Sequence, residues 1–213
     1  MKGVVFAPQY DSPGKKDATG AFLPESKRFA DMHKFTRVTF DNHRPMAQRL
    51  VDIESSLALF SDLDCIAFFC HGWADGIQAG MTRKSLLGFC EKLVPHIRKV
   101  DFKVALYACS TAEDGLVSTN DKAAGPGGDQ GFADKCGDTL KDMGVNVSVL
   151  GHVTAGHTTR NPFVRIFRGG VGGNWLVSPD DVLWSKWVKA LHGDLRFRFP
   201  FMTAEQIRQE LSK

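Results

Sequence analysis

The chain has 213 residues, 43% of them apolar and 24% charged, with a formal net charge of +3. This length suits one domain, or one domain with a tail, and the composition is that of a soluble globular protein. The charge excess is too small to argue for nucleic acid, and no apolar run reaches the roughly 18 residues of a membrane span.

Residues 3–7 form an apolar run closed by Pro8, which reads as a first strand and ends too early for a secretory signal. Residues 9–20 are a Pro-, Gly-, Asp- and Lys-rich loop. A helix is predicted over 24–35, with Phe29 and Met32 inward, then a second strand over 36–40. Asn42 is a candidate N-cap for a helix in which Met46, Leu50, Ile53, Leu57 and Phe60 share one face.

Residues 65–70 and 104–108 are continuous apolar runs, the pattern of strands buried on both faces. Between them, 73–80 reads as a polar loop and 82–97 as a helix. Strand, helix, strand makes a βαβ unit with parallel strands, so His71 and Cys109 should emerge at the same sheet edge.

Residues 110–131 form a long irregular segment, and loops of that length are usually functional or disordered. A helix through Phe132, Cys136 and Leu140 follows, with Gly144 at its C′ position. A fifth strand spans 145–150. Beyond it, 163–167 and 174–177 read as a hairpin across a glycine-rich turn, 181–191 as a helix, and Thr203 to Gln206 as a capping box for a last helix. The expected organisation is an α/β domain over 1–160, with a C-terminal hairpin and helices over 161–213 packed on the same domain.

The cysteines are five, Cys65, Cys70, Cys90, Cys109 and Cys136, and none forms a CxxC pair. An odd number in apolar patterns indicates a reducing compartment rather than a disulfide framework, and a cytoplasmic location is expected. A histidine beside a cysteine is the minimum equipment for thiol catalysis, because the thiolate is the nucleophile and the imidazole can take its proton. Gly72 lacks a Cβ, so its N–H can approach a substrate closely. The Cys109 N–H is a natural second oxyanion donor. Ala108 and Ser110 are small enough to leave room for a substrate backbone.

Two blocks carry a family resemblance: Ile66-Ala67-Phe68-Phe69-Cys70-His71-Gly72, and Val104-Ala105-Leu106-Tyr107-Ala108-Cys109. A hydrophobic block then His-Gly, and a second then Ala-Cys, resembles the caspase-like clan of cysteine peptidases (clan CD), which includes caspases, gingipains, legumains, separases and CHAT-type proteins. The resemblance covers residues 64–112, and the order of elements extends it over about 3–150. It implies a three-layer sandwich, a mainly parallel sheet between helices. It also implies endopeptidase activity with Cys109 as nucleophile, His71 as base and acid, Gly72 and Cys109 as oxyanion donors, and no metal or organic cofactor. Some members of the clan are inactive scaffolds, so a non-enzymatic interaction module is the alternative. The partner is a protein or peptide substrate; the oligomeric state is left open.

Asp75, Glu113 and Asp114 could form an acidic pocket for a basic residue before the scissile bond, or be solvated loop charges. The segment around Lys122 could be a processing site or an uncleaved loop. Residues 151–162, including His152 and His157, are candidate cleft walls at the dyad's sheet edge. His71, His152 and His157 could instead bind zinc in a metallohydrolase. The glycines of 125–131 lack the Gly-Lys-Ser/Thr ending of a P-loop, and no GxSxG elbow is present.

Overall fold

The computed structural model describes residues 1–11, 19–113 and 130–213. Its strands and helices, in chain order, are β1 (Gly3–Pro8), α1 (Phe22–His33), β2 (Thr36–Phe40), α2 (Met46–Leu57), β3 (Cys65–Phe69), β4 (Gly72–Trp73), β5 (Gly76–Ile77), α3 (Leu86–Leu93), β6 (Phe102–Tyr107), α4 (Phe132–Asp142), β7 (Val147–His152), β8 (Val164–Phe167), β9 (Asn174–Trp175), α5 (Trp184–Ala190), α6 (Leu195–Arg198) and α7 (Ala204–Ser212). A seven-stranded sheet runs in the order β2-β1-β3-β6-β7-β8-β9. The first five strands are parallel, and β8 and β9 add as an antiparallel hairpin at one edge.

The strands are apolar on both sides because both sides are covered. Along β1, Val4 and Phe6 face one core and Val5 and Ala7 the other, as a period of two requires. The first core lies under α2, α3 and α4, through Ile53, Leu57, Phe89, Leu93 and Leu140. The second lies under α1, α5, α6 and α7, through Phe29, Trp187, Leu195, Phe197 and Ile207. The C-terminal helices therefore share one helical layer with α1. Fully buried side chains of this size contribute about 1.5–3 kcal/mol each.

Three local expectations fail. Asn42 caps nothing: its side chain bonds the Tyr10 N–H (2.9 Å) and carbonyl (3.0 Å), tying down the loop after β1, and α2 starts after an extended Pro45. Residues 73–80 are not merely a loop, because Gly72–Trp73 and Gly76–Ile77 form a short antiparallel hairpin. Its driver is the buried Ile77, Ala79 and Met81, whose apolar character the neighbouring polar residues hide. The helix expected over 82–97 is shorter. Thr82 and Ser85 exchange turn bonds ahead of Leu86, and the helix tightens into a 3₁₀ turn over Val94–His96 at Pro95, which has no N–H to continue it. Other terminal signals hold. Gly144 (φ +79°) ends α4 with Val145 N–H bonded to the Leu140 carbonyl at 3.0 Å. Thr203 and Gln206 form the capping box of α7.

Candidate active site

β3 and β6 are parallel neighbours with Phe69 paired to Tyr107. Two residues beyond each of these stand His71 and Cys109. Parallel strands about 4.8 Å apart that end in register keep two such side chains within reach of each other. Both line one open cleft of about 200 Å³. Four of the five cysteines are buried; Cys109 is the half-exposed one. Its neighbour Ser110 has φ +56°, the left-handed region that costs a non-glycine residue roughly 1–2 kcal/mol. That turn swings the chain out of the strand directly after the thiol. Thr111 Oγ1–H bonds back to the Ala108 carbonyl (3.2 Å), and the Ala112 N–H to the His152 carbonyl (3.0 Å), which fix the turn.

His71 packs edge-on against Phe22, with ring centroids 4.9 Å apart. Its carbonyl accepts from the Gln78 N–H at 2.8 Å. Gly72 and Ile77 therefore face each other as a pair not bonded to one another, and the Gly72 N–H is turned away from β5. A Cβ on Gly72 would lie 2.6 Å from the Cys109 carbonyl oxygen and 2.8 Å from Ala108 Cβ. The His-Gly and Ala-Cys segments thus touch at backbone distance. Gly72→Ala should push them apart, costing about 1–3 kcal/mol in chemical denaturation and at least tenfold in any Cys109-dependent activity; unchanged stability and activity would contradict the close approach.

Burial disfavours the thiolate at the core cysteines Cys65, Cys70 and Cys136. Burial pushes the Cys70 thiol up to about 12, partly offset by hydrogen bonds from the backbone at Ala79 and Gln78. Burial also raises Cys65. Cys136 is raised first by its hydrogen bond with Cys90 and then by burial. The Cys109 Sγ–H donates to the Gly156 carbonyl at 3.8 Å.

The far wall is the loop between β7 and β8. The Val153 N–H closes its base on the Phe163 carbonyl at 2.9 Å. Asn161 ties it internally through Nδ2–H to the Thr154 carbonyl at 2.8 Å. The loop brings Gly156, His157, Thr158 and Asn161 to the cleft, and His152 lies at its base. On the near side the cleft is lined by Thr19 and Phe22; behind them the buried Asp11 carboxylate accepts from the N–H groups of Thr19 (2.9 Å), Gly20 (2.8 Å) and Leu23 (3.1 Å) and so caps α1 from a distance.

His157 is exposed, and its Nδ1 accepts from the Thr159 N–H at 3.3 Å. Partial burial first, then the Arg160 charge, lowers its pKa. His152 is 3% exposed. Burial lowers its pKa to about 4, against a smaller upward pull from a hydrogen bond to the Asn161 backbone. An unfolded histidine binds its proton near pH 6.5, and native His152 only near 4. Between these values the unfolded state holds more protons, so folding stability falls as pH drops from about 6.5 towards 4, by about 3 kcal/mol in all. Urea melts across that range in wild type and His152→Phe test this; an equal acid loss in both would contradict it.

The remaining candidates fall elsewhere. Asp75 does not line the cleft: its side chain is 67% exposed and pairs with Arg83 at 2.9 Å. Ser110 forms the turn and does not line the cleft. Asp114, the Lys122 segment and most of the glycine run 125–131 lie outside the described residues. His71, His152 and His157 share the cleft, but among the described residues no three His, Cys, Asp or Glu side chains are grouped to hold a metal.

Two contributors escaped the sequence reading. Phe22 lines the cleft and supports His71. Glu25, in the first turn of α1, accepts from Arg196 Nε (3.2 Å) and Thr159 Oγ1 (2.9 Å), both nearly buried. Arg196 also donates to the His192 and Gly193 carbonyls and accepts through its own carbonyl from Tyr107 Oη (2.8 Å). This network joins α1, the cleft loop, α6 and the end of β6. Nothing local marks it, since Glu25 and Arg196 are 171 residues apart.

No family model matches the chain, and no curated protein matches it.

Proposed function

We propose that the chain is a cysteine endopeptidase of the caspase-like clan, acting on peptide bonds in protein substrates. The supporting observation is that His71 and Cys109 leave two in-register parallel strands side by side and line one cleft. Compatible with it are the mainly parallel sheet with helices on both faces and the Gly72 N–H turned away from its hairpin partner. In the reaction, His71 takes the thiol proton and Cys109 Sγ attacks the scissile carbonyl. The Gly72 and Cys109 N–H groups hold the oxyanion. The tetrahedral intermediate collapses, the C–N bond breaks, and His71 returns the proton to the leaving amine. A water activated by His71 then hydrolyses the thioester and restores the thiol.

A second reading, a non-enzymatic interaction module with the same cleft, is favoured by the Cys109 thiol donating to the Gly156 carbonyl on the facing loop. A peptide-library cleavage screen of the wild type against Cys109→Ala separates the two. Cleavage present only in the wild type supports the peptidase. Binding without cleavage, or cleavage equal in both proteins, sinks it.

A further inference from the structure

His152, a residue at the base of the cleft, carries an unspent hydrogen-bonding atom. His152 closes β7 beside Tyr107, the last residue of β6, with ring centroids 6.1 Å apart. It lies two residues short of Cys109 along the strand direction, and therefore at the base of the cleft that Cys109 overlooks. One ring nitrogen is committed to the Asn161 backbone carbonyl. Nδ1 is buried and has no hydrogen-bond partner among the described residues. In a neutral imidazole the nitrogen that donates to Asn161 carries the proton, so Nδ1 is a bare acceptor. A buried lone pair without a donor is costly, and such groups in native structures are satisfied by water or by a ligand.

The rest of the cleft narrows the ligand. Among the described residues lining it there is no Asp, Glu, Lys or Arg, and Phe22, Tyr107, Ala108 and Ala155 make it mostly apolar. A charged side chain entering here would lose its hydration without gaining a counter-charge. An apolar one would fit but leave Nδ1 unpaired. We infer that the cleft selects a substrate side chain that is uncharged and ends in an N–H or O–H donor, such as a carboxamide or hydroxyl, which donates to His152 Nδ1. This rests on the peptidase reading and gives it a specificity: the side chain next to the bond that Cys109 attacks is asparagine, glutamine, threonine or serine, not a basic residue.

The test uses three near-isosteric peptide pairs, Asn against Leu, Gln against Met and Thr against Val, with Glu and Lys peptides beside them. A site built to hydrogen-bond a donor discriminates strongly against the analogue lacking it. The ratio of kcat/KM, donor over isostere, should be on the order of 10–100 in wild type, as expected for one unpaired buried group. In His152→Phe the ratio should fall towards one. The same peptides are titrated onto Cys109→Ala protein, whose binding ratio should match without chemistry. Cysteine-dependent cleavage with no donor preference, or with Lys or Glu favoured, overturns the inference and leaves the peptidase reading standing. Donor-selective binding without cleavage in wild type overturns the peptidase reading and keeps the site. Neither selective binding nor selective cleavage means that Nδ1 is satisfied by water, and the inference falls.

Discussion

His71→Ala and Cys109→Ala are each expected to lower peptide hydrolysis by about 10⁴-fold or more, and the double variant little further, because residues that act as one unit are strongly non-additive. The reason is structural: both side chains stand at the ends of in-register strands and face one cleft. Neither belongs to the buried core, so the folded state should survive both substitutions. Circular dichroism melts beside the kinetics check that. Losses that multiply in the double variant would mean that the residues act separately.

Glu25→Ala is expected to be the most damaging single change away from the dyad. It strips a nearly buried guanidinium of its carboxylate and Thr159 of its acceptor. Breaking one partner out of a buried pair costs about 3–5 kcal/mol. For a chain of this size that lowers the melting temperature by roughly 10 °C. Glu25→Gln keeps an acceptor for Thr159 and should lose less. The effect should reach function too, since Thr159 adjoins Thr158 in the cleft wall and Arg196 holds Tyr107 Oη at the end of β6. A loss below about 1 kcal/mol for Glu25→Ala would show that Arg196 finds other partners as readily.

What the sequence disclosed follows from the range of the forces involved. The strands of 65–70 and 104–108 were legible because burial on both faces writes an unbroken apolar run into the chain. Their shared edge was legible because a βαβ unit fixes strand direction. The capping box at Thr203 and the C′ glycine at Gly144 were legible because such signals are complete within four residues. The β4–β5 hairpin was not, since two-residue strands have no periodicity to read. Asn42 looked like a cap because its type and position suit one; the competing partner, the Tyr10 backbone, is 32 residues away. Asp75 looked like part of a pocket because it follows His71 closely, but Arg83 draws it outward. The Glu25 network and the unpaired His152 nitrogen depend wholly on contacts made across the sheet, which no local pattern records.

The central claim is that His71 activates Cys109. The most direct measurement is the rate of iodoacetamide alkylation at Cys109 against pH, in wild type and in His71→Ala, with the labelled site read by mass spectrometry. The buried position of the other four cysteines should leave Cys109 the dominant site in the folded protein. Activation by His71 predicts fast labelling of the wild type at neutral pH and labelling at least tenfold slower there in His71→Ala, because the thiolate is the reacting form. Superimposable curves for the two proteins would contradict it.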